Sequence, residues 1–209
     1  MKQTEVLSKT KWAIDQAHSE IGFKVRHLMI AHVSGTFTKF DANICTSGKD
    51  FRTAVIDLRI DASSINTGDP IRDEHLRSRD FFDIKKHPEI TFTSSTISKA
   101  DKDGNHEMWG KLTMIGIIQK VNLQVQFGGM LNDPWGNERA GFTVTGKINR
   151  SDWGLTWNTP TDSGGLMVSD EIAISCEVEL TRMGQKCLTM QENSCAGKED
   201  TILKEDAIL

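Results

Sequence analysis

Apolar and polar residues alternate one by one along most of this chain, and a period of two restricts the fold more than any other feature of the sequence. Ile21, Phe23 and Val25 alternate with Gly22, Lys24 and Arg26. Ile56, Leu58 and Ile60 alternate with Asp57, Arg59 and Asp61. Ile90 and Phe92 follow, then Val121, Leu123, Val125 and Phe127, then Phe142, Val144, Gly146 and Ile148, and finally Ile172, Ile174, Cys176, Val178 and Leu180. Gly35–Phe37–Phe40 and Gly110–Leu112–Met114 are weaker members of the set. Each segment has one dry and one wet face, as in antiparallel sheet. Lys102-Asp103-Gly104-Asn105 reads as a hairpin and Asn132-Asp133-Pro134-Trp135-Gly136 as a tighter corner. Strands whose dry faces share a phase must bury them. A sandwich or a closed barrel would do so, and closure also removes exposed edges. The expected fold is an all-β, antiparallel barrel.

One segment breaks the rule. Asp69-Pro70-Ile71-Arg72-Asp73-Glu74-His75-Leu76 has an acidic cap, a proline at the first helical position and an acidic first turn, which predicts a short helix running toward Phe81 and Phe82. The alternation stops near residue 182. Residues 183–209 read as a flexible tail and residues 1–10 as an N-terminal extension, leaving one domain over 11–182. Among 209 residues, Lys+Arg 25 against Asp+Glu 29 gives a net charge of −4, which speaks against nucleic-acid binding. No apolar run reaches the roughly 18–20 residues of a membrane span. The first residues lack the apolar stretch of a secretory signal, so cytoplasmic residence is expected. Cys45, Cys176, Cys187 and Cys195 form no CxxC pair or zinc spacing and are expected as reduced thiols, with Cys176 filling core.

Several segments carry a further signal in their order and spacing. They are Trp12-x-Ile14-Asp15-x-x-His18-Ser19-x-Ile21-x-Phe23-x-Val25-x-His27, Gly35-x-Phe37-x-x-Phe40, and Ser64-Ile65-x-Thr67. The densest is Arg72-Asp73-x-His75-Leu76-x-Ser78-x-Asp80-Phe81-Phe82-Asp83, followed by Pro88-x-Ile90-x-Phe92-x-Ser94. Gly110-x-Leu112-Thr113, Asp133-Pro134-x-Gly136, Arg139-x-Gly141-Phe142, Arg150-x-Asp152-Trp153-Gly154 and Val168-x-Asp170-x-Ile172-x-Ile174 complete it. Over roughly residues 11–182 the chain resembles the YceI-like proteins, lipocalin-like carriers of polyisoprenoid and other long-chain lipids. The resemblance implies an eight-stranded antiparallel β-barrel with a short helix at one end, a cavity holding an isoprenoid or fatty-acid-like chain, no enzymatic activity, and members that often pair as homodimers. Two departures stand out. Many members begin with a secretion signal, and after Leu112-Thr113 the family often has a histidine and a small hydroxyl residue where this chain has Met114-Ile115-Gly116-Ile117-Ile118.

An eight-stranded barrel is just wide enough for packed side chains or one slender ligand. Glycines on the dry phase (Gly35, Gly110, Gly146) are expected to leave room, and Met108 and Met114 to adapt to variable chains. Ile21, Phe23, Val25, Phe37, Ile56, Leu58, Phe92, Leu112, Val125, Phe142 and Val144 are the expected lumen residues, with His27 on the same phase. A collapsed core would show the same alternation. Phe81 and Phe82 are expected to lid one end, where Arg72 or His75 could meet a head group, since a guanidinium pairs bidentately with phosphate. The alternative is an Arg72–Asp73 ion pair with the two phenylalanines plugging the core; Arg150 and Asp152 read as a salt bridge. His18, His27 and His32 lack companion ligands at metal-site spacing, and the Asp101–Glu107 stretch fails the calcium-loop pattern. No GxSxG, HExxH or phosphate loop occurs, so no cofactor, metal or catalytic residue is assigned. A lipid-acting enzyme using His75, with Asp73 or Ser78 nearby, and a lipid-free interaction module remain the alternatives.

Overall fold

The alternating segments pair into one antiparallel sheet that closes on itself. A computed structural model describes residues 9–160 and 166–186. In chain order it contains β1 (Lys9–Ile14), β2 (Glu20–His27), β3 (Ala31–Phe37), β4 (Phe40–Ser47), β5 (Asp50–Asp61), β6 (Ile65–Asn66), α1 (Pro70–Arg77), β7 (Glu89–Ile97), β8 (Asn105–Met114), β9 (Ile117–Asn132), β10 (Glu138–Asn149) and β11 (Val168–Lys186). Short 3₁₀ turns at Ala62–Ser64 and Arg150–Trp153 interrupt the strands.

β11 closes the ring. Its first half pairs with β2, from Val168↔His27 to Glu177↔Glu20, and its second half with β1, from Leu180↔Ile14 to Lys186↔Thr10. β1 and β2 therefore act as one barrel strand broken at a corner, and β3 with β4 lie beside them in the same way. β5 and β6 share the next position across the first 3₁₀ turn, so the eleven strands make an eight-stranded barrel.

Local chemistry fixes the helix. The Asp69 carboxylate accepts from the Ile71 and Arg72 amides at 3.0 and 3.2 Å, and Pro70 occupies the first turn. Buried Asp73 accepts from the Thr67 amide and hydroxyl at 2.9 and 2.5 Å, which ties α1 to the chain leaving β6. The second 3₁₀ turn ends on Gly154, whose φ of 76° is left-handed.

The two ends of the barrel are built differently. One carries the β2–β3 hairpin, α1 and residues 154–160 with 166–167, and is called here the polar end. The other carries the β4–β5 hairpin and the β9–β10 turn. There Phe51 lies 4.9 Å from Trp12 and 4.8 Å from Phe142, with Phe127 5.3 Å from Phe142; this is the aromatic end. Trp12 is fully buried, and its indole N–H donates to the Thr46 hydroxyl at 3.0 Å.

The structure departs from expectation in several places. β11 continues through Lys186, so residues 183–186, expected in the tail, are strand; β1 begins at Lys9, inside the expected N-terminal extension. The rest of those two segments, residues 187–209 and 1–8, lies outside the described residues. β4 is a full strand that sequence reasoning did not assign, with Phe40, Ala42, Ile44 and Thr46 buried on one phase. Cys45 is disulfide-bonded, which corrects the expectation of a reduced thiol at that position. Cys176 is free and buried, and burial pushes its thiol up to about 11.

Candidate functional site

A cavity of about 770 Å³ runs through the barrel and is walled almost entirely by hydrocarbon. Its size falls within the range of small-ligand sites, which are typically about 300–1,000 Å³. The wall follows from the alternation, since every strand turns its apolar phase inward. The expected lumen residues Ile21, Phe23, Val25, His27, Phe37, Ile56, Leu58, Phe92, Leu112, Val125, Phe142 and Val144 all lie on this wall, and so do Arg72, His75, Phe81 and Phe82 at the polar end. The interior is hollow rather than collapsed.

The glycines do not make the hollow. A Cβ on Gly35 would stand 2.4 Å from the Phe23 ring, one on Gly110 2.3 Å from the Phe92 ring, and one on Gly146 2.6 Å from Leu123. Each gives its space to a neighbouring side chain, which corrects the expectation that these positions leave room for a ligand. Met108 and Met114 are on the wall as expected.

At the polar end the wall gains polar groups. Arg72 donates through Nε to the Thr67 hydroxyl at 2.7 Å and through Nη2 to the Thr67 carbonyl at 2.9 Å. Its Nη1 is 3.9 Å from Asp69. The alternative of an Arg72–Asp73 ion pair is not what forms, because Thr67 stands between the two and engages both. His75 Nε2 lies 3.0 Å from Asp80, and its ring meets Phe81 and Trp157 edge-on at 5.2 and 4.7 Å. Phe82 packs 6.0 Å from Phe37, so the two phenylalanines divide between the His75 cluster and the core.

Arg150 is buried on the same wall without the expected salt bridge to Asp152. It donates instead to the Ser169, Leu155 and Trp157 carbonyls, pinning the segment after the second 3₁₀ turn, and burial holds its guanidinium below the usual arginine value. The Asp152 carbonyl accepts from Gln119 at 2.7 Å.

Sequence reasoning did not find Phe51, Trp157 or Met167, which also line the cavity. Phe51 is out of phase with Ile56, Leu58 and Ile60 because the β4–β5 register shifts between Cys45 and Ser47. Trp157 and Met167 belong to a connection without periodicity, where no pattern marks an inward residue.

The geometry bears on other chemistries. The Asp73 carboxylate is taken by Thr67 and does not reach His75, and among the described residues no hydroxyl or thiol is hydrogen-bonded to His75. Asp15, His18 and Glu179 converge outside the barrel, but Arg139 Nη1 is already bonded to Asp15 at 2.6 Å and to Glu179, so a guanidinium supplies the positive charge there. Its Nε donates to Asp133 at 2.7 Å. Hydrogen bonds from Arg139 and His18 lower the Asp15 carboxyl to about 2. Burial raises Asp133, yet bonds from Arg139, Asn137 and the Trp135 amide outweigh it and hold the carboxyl well below its usual range. These are structural clamps. Among the described residues no helix is long and apolar enough to cross a membrane.

The model of the YceI-like domain matches residues 12–180. A UPF0312 protein of Staphylococcus aureus is 34% identical over 173 residues, covering 82% of this chain and 98% of its own. The crystal structure of a Campylobacter jejuni YCEI protein superposes with a TM-score of 0.65 at 35% identity, covering 87% of this chain and 98% of that one. A polyisoprenoid binding domain from Saccharophagus degradans, described as implicated in plant cell wall breakdown, has the same fold at 16% identity, with a TM-score of 0.59 over 82% of this chain and 98% of that one.

Proposed function

Because this chain belongs to the YceI-like family, we propose that it binds one long-chain amphiphile, a polyisoprenoid or fatty-acid-like lipid, non-covalently inside the barrel, for storage or transport. The observation that carries this reading is the cavity of about 770 Å³ with its nearly unbroken apolar wall. Burying each methylene stabilises a bound chain by about 0.8 kcal/mol, so a long chain binds tightly with few polar contacts. The fold shared with a polyisoprenoid binding domain supports the same ligand class. Arg72, His75 and His27 at the polar end are the groups that would meet the head group, while the aromatic end receives the tail. Binding without turnover accords with the engagement of Asp73 by Thr67 and of His75 by Asp80.

The experiment is organic extraction of protein purified without added ligand, followed by mass spectrometry. A co-purifying long-chain species in near-stoichiometric amount is expected; an empty protein that also fails to bind a fluorescent polyene fatty acid would overturn the reading. As to compartment, the Cys45 disulfide favours an oxidising space over the cytoplasm. Thiol counting on freshly isolated protein tests this, and a freely reactive Cys45 would restore the cytoplasmic alternative.

A further inference from the structure

Leu28, Met29 and Ile30 form the tip of the β2–β3 hairpin and are 40%, 54% and 85% exposed. The Ile30 amide donates to the His27 carbonyl at 3.2 Å, closing a turn within the three-residue connection from His27 to Ala31, and both central residues of that turn are left-handed, with φ of 49° at Leu28 and 60° at Met29. Turns of this shape favour Asn-Gly, because a side chain at positive φ is strained. Here the strained positions hold two large apolar residues that face solvent, an arrangement that folding alone does not reward.

The tip adjoins the cavity. The Leu28 amide donates to the Met167 carbonyl at 2.8 Å, and Met167 and His27 both line the lumen. Ile71, on the first turn of α1, is on the cavity wall and yet 85% exposed; Leu166, beside Met167, is 51% exposed. The apolar surface therefore continues from the lumen onto the outside. The hairpin itself is basic. From Ile21 to Phe40 the chain has no Asp or Glu, and Lys24, Arg26, His27 and His32 lie on its two strands, although the protein as a whole is at −4 and the adjoining α1 and β11 carry acidic residues, among them Glu74 and Glu171. Arg26 and His32 face each other on the exposed side of the hairpin.

We propose that this hairpin tip, with Ile71 and Leu166 beside it, docks the polar end of the barrel on an anionic lipid bilayer. Apolar side chains enter the headgroup boundary while cations meet the lipid phosphates, and the protein lies on the surface without spanning it. The mouth of the cavity then faces the bilayer, so a chain passes between membrane and lumen without crossing water. The role in transfer rests on the lipid-binding reading above; the docking itself is measured separately.

The test is co-sedimentation with phosphatidylcholine vesicles, with and without phosphatidylglycerol, alongside titration of a fluorescent polyene fatty acid in free solution. The wild-type protein is expected on the anionic vesicles and released by salt. Replacing Leu28→Asn, Met29→Gly and Ile30→Thr together supplies residues the turn prefers, so the variant is expected to melt no lower than wild type and to bind the fatty acid unchanged. Its partitioning onto anionic vesicles should fall about tenfold. Trp135→Ser, at the exposed tip of the aromatic end, should leave partitioning unchanged. Wild type that binds the fatty acid but ignores the vesicles, a hairpin variant that partitions like wild type, or loss confined to Trp135→Ser would each overturn the docking proposal. Vesicle binding by a protein that takes up no fatty acid would instead sustain the docking and remove the carrier reading.

Discussion

The barrel's two ends are made from the same alternating strands and differ in what fills them. At the aromatic end Phe51 lies over the lumen against Trp12 and Phe142, and paired charges brace the rim: Arg139 with Asp15 and Asp133, and Glu138 with Arg182 at 2.8 Å and with Lys49. At the polar end the guanidiniums of Arg72 and Arg150 bond chiefly to carbonyl and hydroxyl oxygens, and among the described residues the carboxylate within 4 Å of Arg72 is Asp69, at 3.9 Å. Packed rings and neutralised pairs make a stopper, whereas a cation whose charge is incompletely matched beside an apolar channel makes a place for an anionic head group. The difference gives the cavity a direction.

The space between the ends is the first thing to test, and the effect there should be largest. Val144, opposite Val125 on the shared wall of β9 and β10, faces the lumen. Val144→Trp should weaken fatty-acid binding about a hundredfold and move the melting temperature by no more than a few degrees, since the added volume enters empty space. Overpacking a filled core costs about 1–3 kcal/mol instead. Severe destabilisation in a thermal melt would remove the hollow middle on which the comparison depends. At the aromatic end, Phe51→Ala removes a ring packed against those of Trp12, Phe127 and Phe142 and should cost about 2–3 kcal/mol in urea unfolding, with head-group preference unchanged. A change in that preference would erase the distinction between the ends.

How far this was legible in the sequence follows from the same division. Along regular strands a period of two determines which side chains face in, so Phe23, Leu58 and Val144 could be placed on the wall before any coordinates. The helix was legible because Asp69 and Pro70 are a local signal. Legibility ended where the ladder breaks. The register shift near Ser47 turned Phe51 inward, and Trp157 and Met167 come from a connection with no period to read. Volume was also hidden: Gly35 and Gly110 sit on the dry phase, but only the rotamers of Phe23 and Phe92 show that their space is taken. The Cys45 disulfide could not be read from cysteines scattered along the chain.

Acid should loosen the braced rim. Asp15 in the folded protein titrates near 2, below its ordinary 3.8, so its contribution is fully present above about pH 4 and is lost as pH falls from there toward 2. The Glu138 carboxyl is lowered in the same sense by Lys49 and Arg182. Asp15→Asn should cost on the order of 1–2 kcal/mol at neutral pH, a figure discounted for the exposure Asp15 retains. Urea unfolding at stepped pH should show the gap between wild type and variant closing as pH falls from about 4 to about 2. A gap that persists at low pH would mean that the side chain acts through packing, and the charged brace would cease to distinguish this end.

The smallest expected effect is also the most specific to the polar end. Arg72 spends Nε and Nη2 on Thr67 and leaves Nη1 at 3.9 Å from Asp69, beyond hydrogen-bonding distance. A carboxylate or phosphate arriving through the lumen could take that donor. Arg72→Gln can keep a contact to Thr67 while removing the charge, so it should weaken a long-chain fatty acid about tenfold and leave the alcohol of equal length within about twofold. The ratio of the two affinities is the readout, because the buried chain is common to both ligands and cancels. Equal losses for acid and alcohol would show that Arg72 only braces the chain entering α1, and the direction assigned to the cavity would then have to rest on His75 and His27.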